Sequence, residues 1–498
     1  NSPFFAGYDW SLPLTAGIDR VEVVRGPYSA LYGSDAVGGV VQLVSTPPAA
    51  SAASALLETG GSEWRRADVE ASLVSGPLAA TVTAAGREGS GPLANDDFSS
   101  WVGMVDAGYA PAPGRRVGLL VRRTASFTEV PFSGPDPTPH RSTRGEEALY
   151  AVPVRWSSVA GGSLEATASR VERTVRYRDP EDPTGFVSGD TEADTDAARV
   201  VWRRSFGAHR FTLGGEWRRD VVSDRSSFGV NLDGASLTTS SAFVQDNWRP
   251  VAWLQVLAGA RWDTANPWGS ELSPRATVSF LGDGYRVWGS FGRAFRAPSL
   301  GELYYPFSGN AALRPEHARA AEMGVAFPAG GGRGLAQVVA FRNRTSDLID
   351  FDYATYSFAN VTRAAQDGVE LSWLEGLAGA GRLRLSLTWL DARDGAGAPL
   401  LRRPAWSGSA VLMGPVAGAM KGEVSLVWVG SRTDLDPVTL ARVSQEGFVV
   451  ASAAVSMPLT GALAIRLRVE NLANQRYEEV RGYPAPGRRV ILGVSLQQ

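Results

Sequence analysis

The 498-residue chain has no cysteine, so disulfides, thiolate metal sites and cysteine nucleophiles are excluded. It has no apolar run near the roughly 18–20 residues that a membrane helix needs. Any membrane crossing must therefore use a closed barrel, the other structure that satisfies every backbone group in lipid. It lacks charge of one sign as well. Lys+Arg is 49 and Asp+Glu 51, which gives no reason to expect nucleic acid or a polybasic membrane contact. No Ser/Pro-rich spacer, charge block or low-complexity tract divides it, and that uniform texture suits one repetitive architecture. Histidine is nearly absent. His140, His209 and His317 are the only three, and none stands in a triad-like Ser/Asp setting. HExxH and Walker A sequences are missing, and the Gly-rich stretch 330–334 reads as a turn rather than a phosphate loop. No enzyme is expected.

What is present is period-two alternation. Leu383, Leu385, Leu387 and Trp389 fall on one face of a strand, with Arg382, Arg384, Ser386 and Thr388 on the other. Ile465, Leu467 and Val469 alternate with Arg466, Arg468 and Glu470. Val490, Leu492, Val494 and Leu496 share a face, as do Val69, Ala71 and Leu73. Arginines opposite an apolar row fit lipid outside and water inside.

The connections alternate too. Short turns such as Ser75-Gly76-Pro77, Ala160-Gly161-Gly162 and 281–284 separate long polar segments. These segments are read as loops at 88–101, 127–146, 177–191, 225–237, 263–271, 295–318, 392–401, 432–446 and 474–487. Short turns at one rim and long loops at the other is the pattern of an outer-membrane barrel. The count from residue 52 to the end is about 22 strands, enough for a plugged lumen. The 15 Trp and 13 Tyr suit aromatic girdles. A soluble all-β propeller is the alternative, but no blade motif recurs.

Residues 17–46, GIDRVEVVRGPYSALYGSDAVGGVVQLVST, resemble the end of the plug domain of TonB-dependent receptors. Ile18, Val21, Val23 and Val24 read as a buried strand broken by Gly26-Pro27, then a turn over Ser29–Tyr32 closed by Gly33, then a strand after Gly38-Gly39. Residues 294–316, AFRAPSLGELYYPFSGNAALRPE, with Glu322, resemble a segment of that family's barrel, and Asn360, Gly368, Val369 and Glu370 resemble its next landmark. Residues 470–488 are similar to the last loop.

The resemblance implies an all-β transmembrane barrel over 51–498, with the C-terminal part of a plug domain at 1–50. It implies TonB-driven uptake across the bacterial outer membrane of a scarce, bulky nutrient, a ferric siderophore or cobalamin. The partners it implies are that metal chelate or corrinoid, TonB, and outer-membrane lipid and lipopolysaccharide. The family's TonB box lies in a part of the plug that would precede Asn1, so the alternative for this chain is a passive pore or a ligand-binding outer-membrane protein. The family's last strand usually ends in an aromatic residue; here the end is Leu496-Gln497-Gln498.

The resemblance also implies roles for residues. Family plugs are held by arginines paired with two inward barrel glutamates, so Arg25 is expected to approach Glu322, Glu370 or both. The segment 1–16 is expected to form an apical loop facing the vestibule. Its Phe4, Phe5, Tyr8 and Trp10 are expected to touch substrate, with Tyr304, Tyr305 and Phe307 closing from the barrel side. The alternative is that these aromatics pack on the wall. Finally, Asp179, Asp182, Asp190 and Asp194 lie in an acidic segment whose oxygens fit Ca2+, a candidate loop calcium site; the alternative is a solvated acidic loop.

Overall fold

In a computed structural model, which describes residues 2–10, 15–26 and 29–498, the chain forms one closed antiparallel barrel of 22 strands. The first strand, Ala52–Gly60, pairs with the last, Arg489–Gln497, through Leu57↔Val494, which closes the wall on itself. No described helix is long and apolar enough to cross a membrane; the crossing is made by strands.

Alternation sets the two faces as the sequence implies. Leu385 and Leu387 share the outer face with Val369 and with Met323, which is 66% exposed. The opposite face carries Glu322, Phe341 and Glu370 and lines the lumen.

The turn lengths also alternate. At one rim, strands Arg65–Ser75 and Leu78–Ser90 are joined through two residues, as are Ser142–Val159 and Gly162–Arg178. At the other rim, segment 297–315 carries a short helix and segment 430–447 carries the hairpin Arg432–Leu435 with Arg442–Gln445.

Several segments read as loops are strand instead. Segment 225–237 is the tip of two strands, His209–Ser226 and Gly229–Val251, joined at 227–228 with register shifts near Asp224. The second has 23 residues, where about 9–11 cross a bilayer. Polar residues on both faces give a solvated hairpin the composition of a loop, because above lipid a hairpin still pairs its backbone while water covers both sides.

The N-terminal segment lies inside. Strand β1 (Arg20–Arg25), helix α1 (Ser29–Tyr32) and strand β2 (Gly39–Val44) form a small hairpin unit with Arg25↔Gly39 and Val23↔Val41 in register. Gly39, at φ 151°, is required because a Cβ there would stand 2.5 Å from the Val24 carbonyl oxygen. Pro27, read as the strand breaker, and residues 11–14 of the apical segment lie outside the described residues. Expected to be buried, β1 is not. Val21 and Val23 are exposed, because among the described residues nothing packs on their face. The largest apolar cluster is therefore not in the lumen centre. It lies near the long-loop rim, where Phe4 and Leu300 meet Val222, Leu232 and Leu237.

Candidate functional site

The site is the seam between the hairpin unit and the barrel, with the vestibule above it. The seam has a tight end and a loose end.

The tight end is built on a break in the wall. Strands Gly269–Leu281 and Arg286–Arg296 pair only as far as Arg275↔Gly292. The freed backbone beyond Gly292 bonds the N-terminal unit instead. Phe295 N donates to Ser29 Oγ at 3.4 Å, Ala297 N donates to Ser34 Oγ at 2.9 Å, and Asp35 N donates to the Phe295 carbonyl at 3.2 Å. From the facing wall, Arg199 Nη2 donates to the Leu31 carbonyl at 3.1 Å. Beneath α1 lies Arg261, 2% exposed, bonded to Asp263 at 2.8 Å and Ser241 at 2.8 Å, with Glu216 at 3.4 Å. Gly33, at φ 78°, lets α1 end there, since a Cβ would lie 2.9 Å from the Arg261 guanidinium. A guanidinium this buried is tolerable only with its carboxylates and hydroxyl in place.

At the loose end, Arg25 Nη1 meets Glu370 Oε2 at 2.5 Å. The Arg25 side chain is 66% exposed, and a cavity of about 260 Å3 separates Arg25 and Gly26 from Glu322, Phe341 and Arg275 on the wall. Glu322 lines that cavity but forms no ion pair with Arg25, so one of the two expected carboxylates is engaged. Just past this hairpin, Ser45 Oγ donates to Asp106 Oδ2 at 3.0 Å.

The vestibule is framed by helix α2 (Leu300–Tyr304). Ser299 and Glu302 cap it reciprocally, and Arg296 pins Glu302 and Glu316 at 3.0 and 2.5 Å. The N-terminal segment docks on this helix, with Leu300 N and Gly301 N donating to the carbonyls of Pro3 and Phe4 at 2.9 and 3.1 Å. Of the seven aromatics expected to contact substrate, Phe4 is corrected. It is 3% exposed, packed on Leu300 and Val222 with Tyr305 5.9 Å away, so it belongs to the wall. An apolar cluster drawn from four barrel strands and helix α2 made burial more favourable than display. Phe5 and Trp10 stay exposed, Tyr8 is half-buried with Trp10 edge-on at 5.0 Å, Tyr304 and Phe307 are exposed, and Tyr305 is half-buried. Burial pushes the Tyr8 phenol up, with Glu147 adding to it, so the hydroxyl remains a donor at growth pH.

The acidic segment does not gather ligands for calcium. Asp179 is buried on Arg141 at 2.8 Å, Asp190 pairs with Arg178 and Asp194 with Arg170, while Asp182 accepts from the backbone of Thr184. Each carboxylate has found its own donor, and among the described residues no three metal-binding side chains converge.

Sequence reasoning missed Arg261, Asp263, Arg199 and the two serines. One signal was present. Arg261-Trp262-Asp263, like Arg66/Asp68 and Arg218/Asp220, puts an arginine and an aspartate two apart, hence on one face of a strand.

Comparison with known proteins comes to the same architecture. The family described as TonB dependent receptor-like, beta-barrel matches residues 69–472, and the TonB-dependent Receptor Plug Domain matches residues 1–40. The chain is similar to the vitamin B12 transporter BtuB of Vibrio cholerae, 24% identical over 511 residues that cover 98% of this chain and 80% of the relative. Among solved structures it is similar to the copper transporter OprC, with TM-score 0.85 and 17% identity over 97% of this chain and 86% of that one. It is also similar to the siderophore receptor PiuA from Acinetobacter baumannii, with TM-score 0.82 and 14% identity over the same shares. At such identities the structures speak for the fold alone.

Proposed function

The chain belongs to the TonB-dependent receptor family, and on that premise we propose that its cargo is a ferric siderophore or a corrinoid such as cobalamin. The family places it in the outer membrane and in TonB-dependent uptake of bulky nutrients. The observation that carries the cargo reading is the vestibule. Phe5, Trp10 and Tyr304 are exposed, with Tyr8 half-buried beside them, above an N-terminal unit that sits in the lumen of a 22-strand barrel. Aromatic faces with a phenol and an indole N–H fit a large amphipathic ligand. The vitamin B12 transporter that this chain resembles along nearly its whole length supports the corrinoid half of the proposal, and the siderophore receptor of like fold is compatible with the other.

The partners follow. TonB supplies the energy, the outer leaflet surrounds the wall, and no catalytic step is assigned to any residue. The mechanism asked of this chain is binding at the vestibule followed by loosening of the hairpin unit, whose weak end is the Arg25–Glu370 contact.

The test is uptake of labelled ferric chelates and cobalamin by cells that carry the full-length gene as their sole receptor, with and without TonB. Saturable accumulation of one of these that requires TonB is expected. Accumulation that ignores TonB would instead support a passive pore, and no accumulation of any of them would refute the cargo class.

A further inference from the structure

Arg296 stands where the barrel wall, the N-terminal unit and the vestibule meet. It ends strand Arg286–Arg296 and lies opposite Glu316, the first residue of strand Glu316–Ala329. The backbone on either side of it holds the tight end, since the Phe295 carbonyl accepts from Asp35 N and Ala297 N donates to Ser34 Oγ. Its side chain has other partners. Nη1 and Nη2 fork onto the two carboxylate oxygens of Glu302 at 3.0 Å each, and Nη2 also reaches Glu316 Oε1 at 2.5 Å. All three side chains are largely buried. One guanidinium between two carboxylates leaves the cluster short of positive charge, and backbone N–H groups supply further donors. Ser299 N donates to Glu302 Oε2 at 2.7 Å, and Ile349 N to Glu316 Oε1 at 2.8 Å.

Each carboxylate holds a different cargo-facing piece. Glu302 belongs to α2, whose first amides, Leu300 N and Gly301 N, carry the N-terminal segment by its Pro3 and Phe4 carbonyls. Glu316 holds the rim hairpin at 346–358. The register between strands Gly334–Asp352 and Ser357–Gly376 shifts twice between Thr345 and Ile349, and this bulge frees the Ile349 N–H for Glu316. At the tip of that hairpin Phe351 meets the rings of Tyr353, Tyr356 and Phe358 at 5.1, 5.9 and 5.6 Å, and both tyrosines are exposed. The hairpin has a second tie to the loop after α2. Phe358 N donates to the Ser308 carbonyl at 2.8 Å, and Asn310 Nδ2 to the Phe358 carbonyl at 3.0 Å. Those bonds are uncharged and less buried, so the charged path through Arg296 is the stiffer of the two.

We infer that Arg296 is a positioning residue of the vestibule: through Glu302 and Glu316 it sets the N-terminal aromatic segment and the rim hairpin as two walls of one site, so that a shift of either is felt by the other. The purpose given to this coupling rests on the vestibule reading above; the coupling itself needs no cargo. Its consequence is that a ligand touching Tyr353 or Tyr356 at the rim acts on the segment that carries Phe5, Tyr8 and Trp10, and a ligand on that segment acts on the rim. Coupling of this kind is reciprocal by thermodynamic necessity.

The test is amide hydrogen exchange of the full-length receptor in detergent, read by mass spectrometry without any ligand. Phe351→Ala, at the rim, should speed exchange of the Leu300 and Gly301 amides about fivefold or more. Phe4→Ala, at the other end, should do the same at Ile349. Each cross-effect is then measured in a Glu316→Ala background against Glu316→Ala alone, a double-mutant cycle. There it should fall below about twofold. Glu316→Ala leaves Arg296 paired with Glu302, so the barrel should keep its heat-modifiable mobility; Glu316→Gln, which keeps the bulk, replaces it if it does not fold. Asn310→Ala, which cuts the second tie, should leave most of the cross-effect in place. A merely structural Arg296 would leave the far end unmoved, so no cross-effect in either direction would overturn the inference. A cross-effect that survives Glu316→Ala but vanishes with Asn310→Ala would move the coupling to the second tie and overturn the role of Arg296. Because no cargo enters, failure of the uptake test and failure of this one are separate results.

Discussion

The two ends of the N-terminal unit meet the same barrel by opposite means. At α1, short backbone bonds to the freed edge of strand Arg286–Arg296 lie over a buried guanidinium with two carboxylates. At the hairpin, one largely exposed arginine reaches one glutamate beside a cavity. Buried, fully partnered charge makes a contact that is costly to break, whereas an exposed ion pair contributes about 0–1 kcal/mol. The difference predicts that the lumen opens at the hairpin end, with α1 as the fixed point.

Removing the buried charge attacks the strong end and should have the largest effect. Arg261→Ala leaves Asp263 buried without its partner, an expected cost of about 3–5 kcal/mol. The check is the temperature at which the folded barrel loses its heat-modifiable mobility, which should fall well below that of the parent. An unchanged temperature would mean that Arg261 holds nothing. Phe4→Ala comes next. It empties a site against Leu300 and Val222 and should cost up to about 3–5 kcal/mol of local docking. Proteolysis of the N-terminal segment should become faster while the barrel stays folded.

Smaller is the effect expected at the vestibule. Tyr8→Ala with Trp10→Ala should weaken ligand binding at least tenfold, about 1.4 kcal/mol, by calorimetry on the full-length receptor. Equal affinity would remove both from the site. The least change in stability is expected at the loose end. Glu322→Ala with Glu370→Ala should alter the unfolding midpoint by less than about 1 kcal/mol yet raise conductance across a planar bilayer. A large loss of stability with no added conductance would reverse the comparison.

Much of the barrel was legible because its physics is periodic. Leu383, Leu385, Leu387 and Trp389 had to share a face, and the two-residue turns marked one rim. The other rim was less legible. Segment 225–237 is polar for the same reason whether it is loop or solvated hairpin, and composition does not distinguish them. Arg25 and Glu370 were found through family landmarks, and their contact is present at 2.5 Å. The tight end was missed because Ser29, Ser34 and Arg261 gain their meaning only where strand Arg286–Arg296 leaves its neighbour, a break that no local pattern announces. Phe4 was misplaced because an aromatic in a loop looks the same whether it waits for a ligand or fills a wall.

These 498 residues contain no cysteine, so single introduced thiols, with any cysteine elsewhere in the receptor replaced, measure the central comparison. Single cysteines at Val24 and at Ser34, in the full-length receptor in living cells, can be labelled with maleimide during energised uptake. The account predicts that labelling of Val24→Cys rises when substrate and TonB are both present, while Ser34→Cys stays protected. A rise at Ser34→Cys with none at Val24→Cys would contradict it.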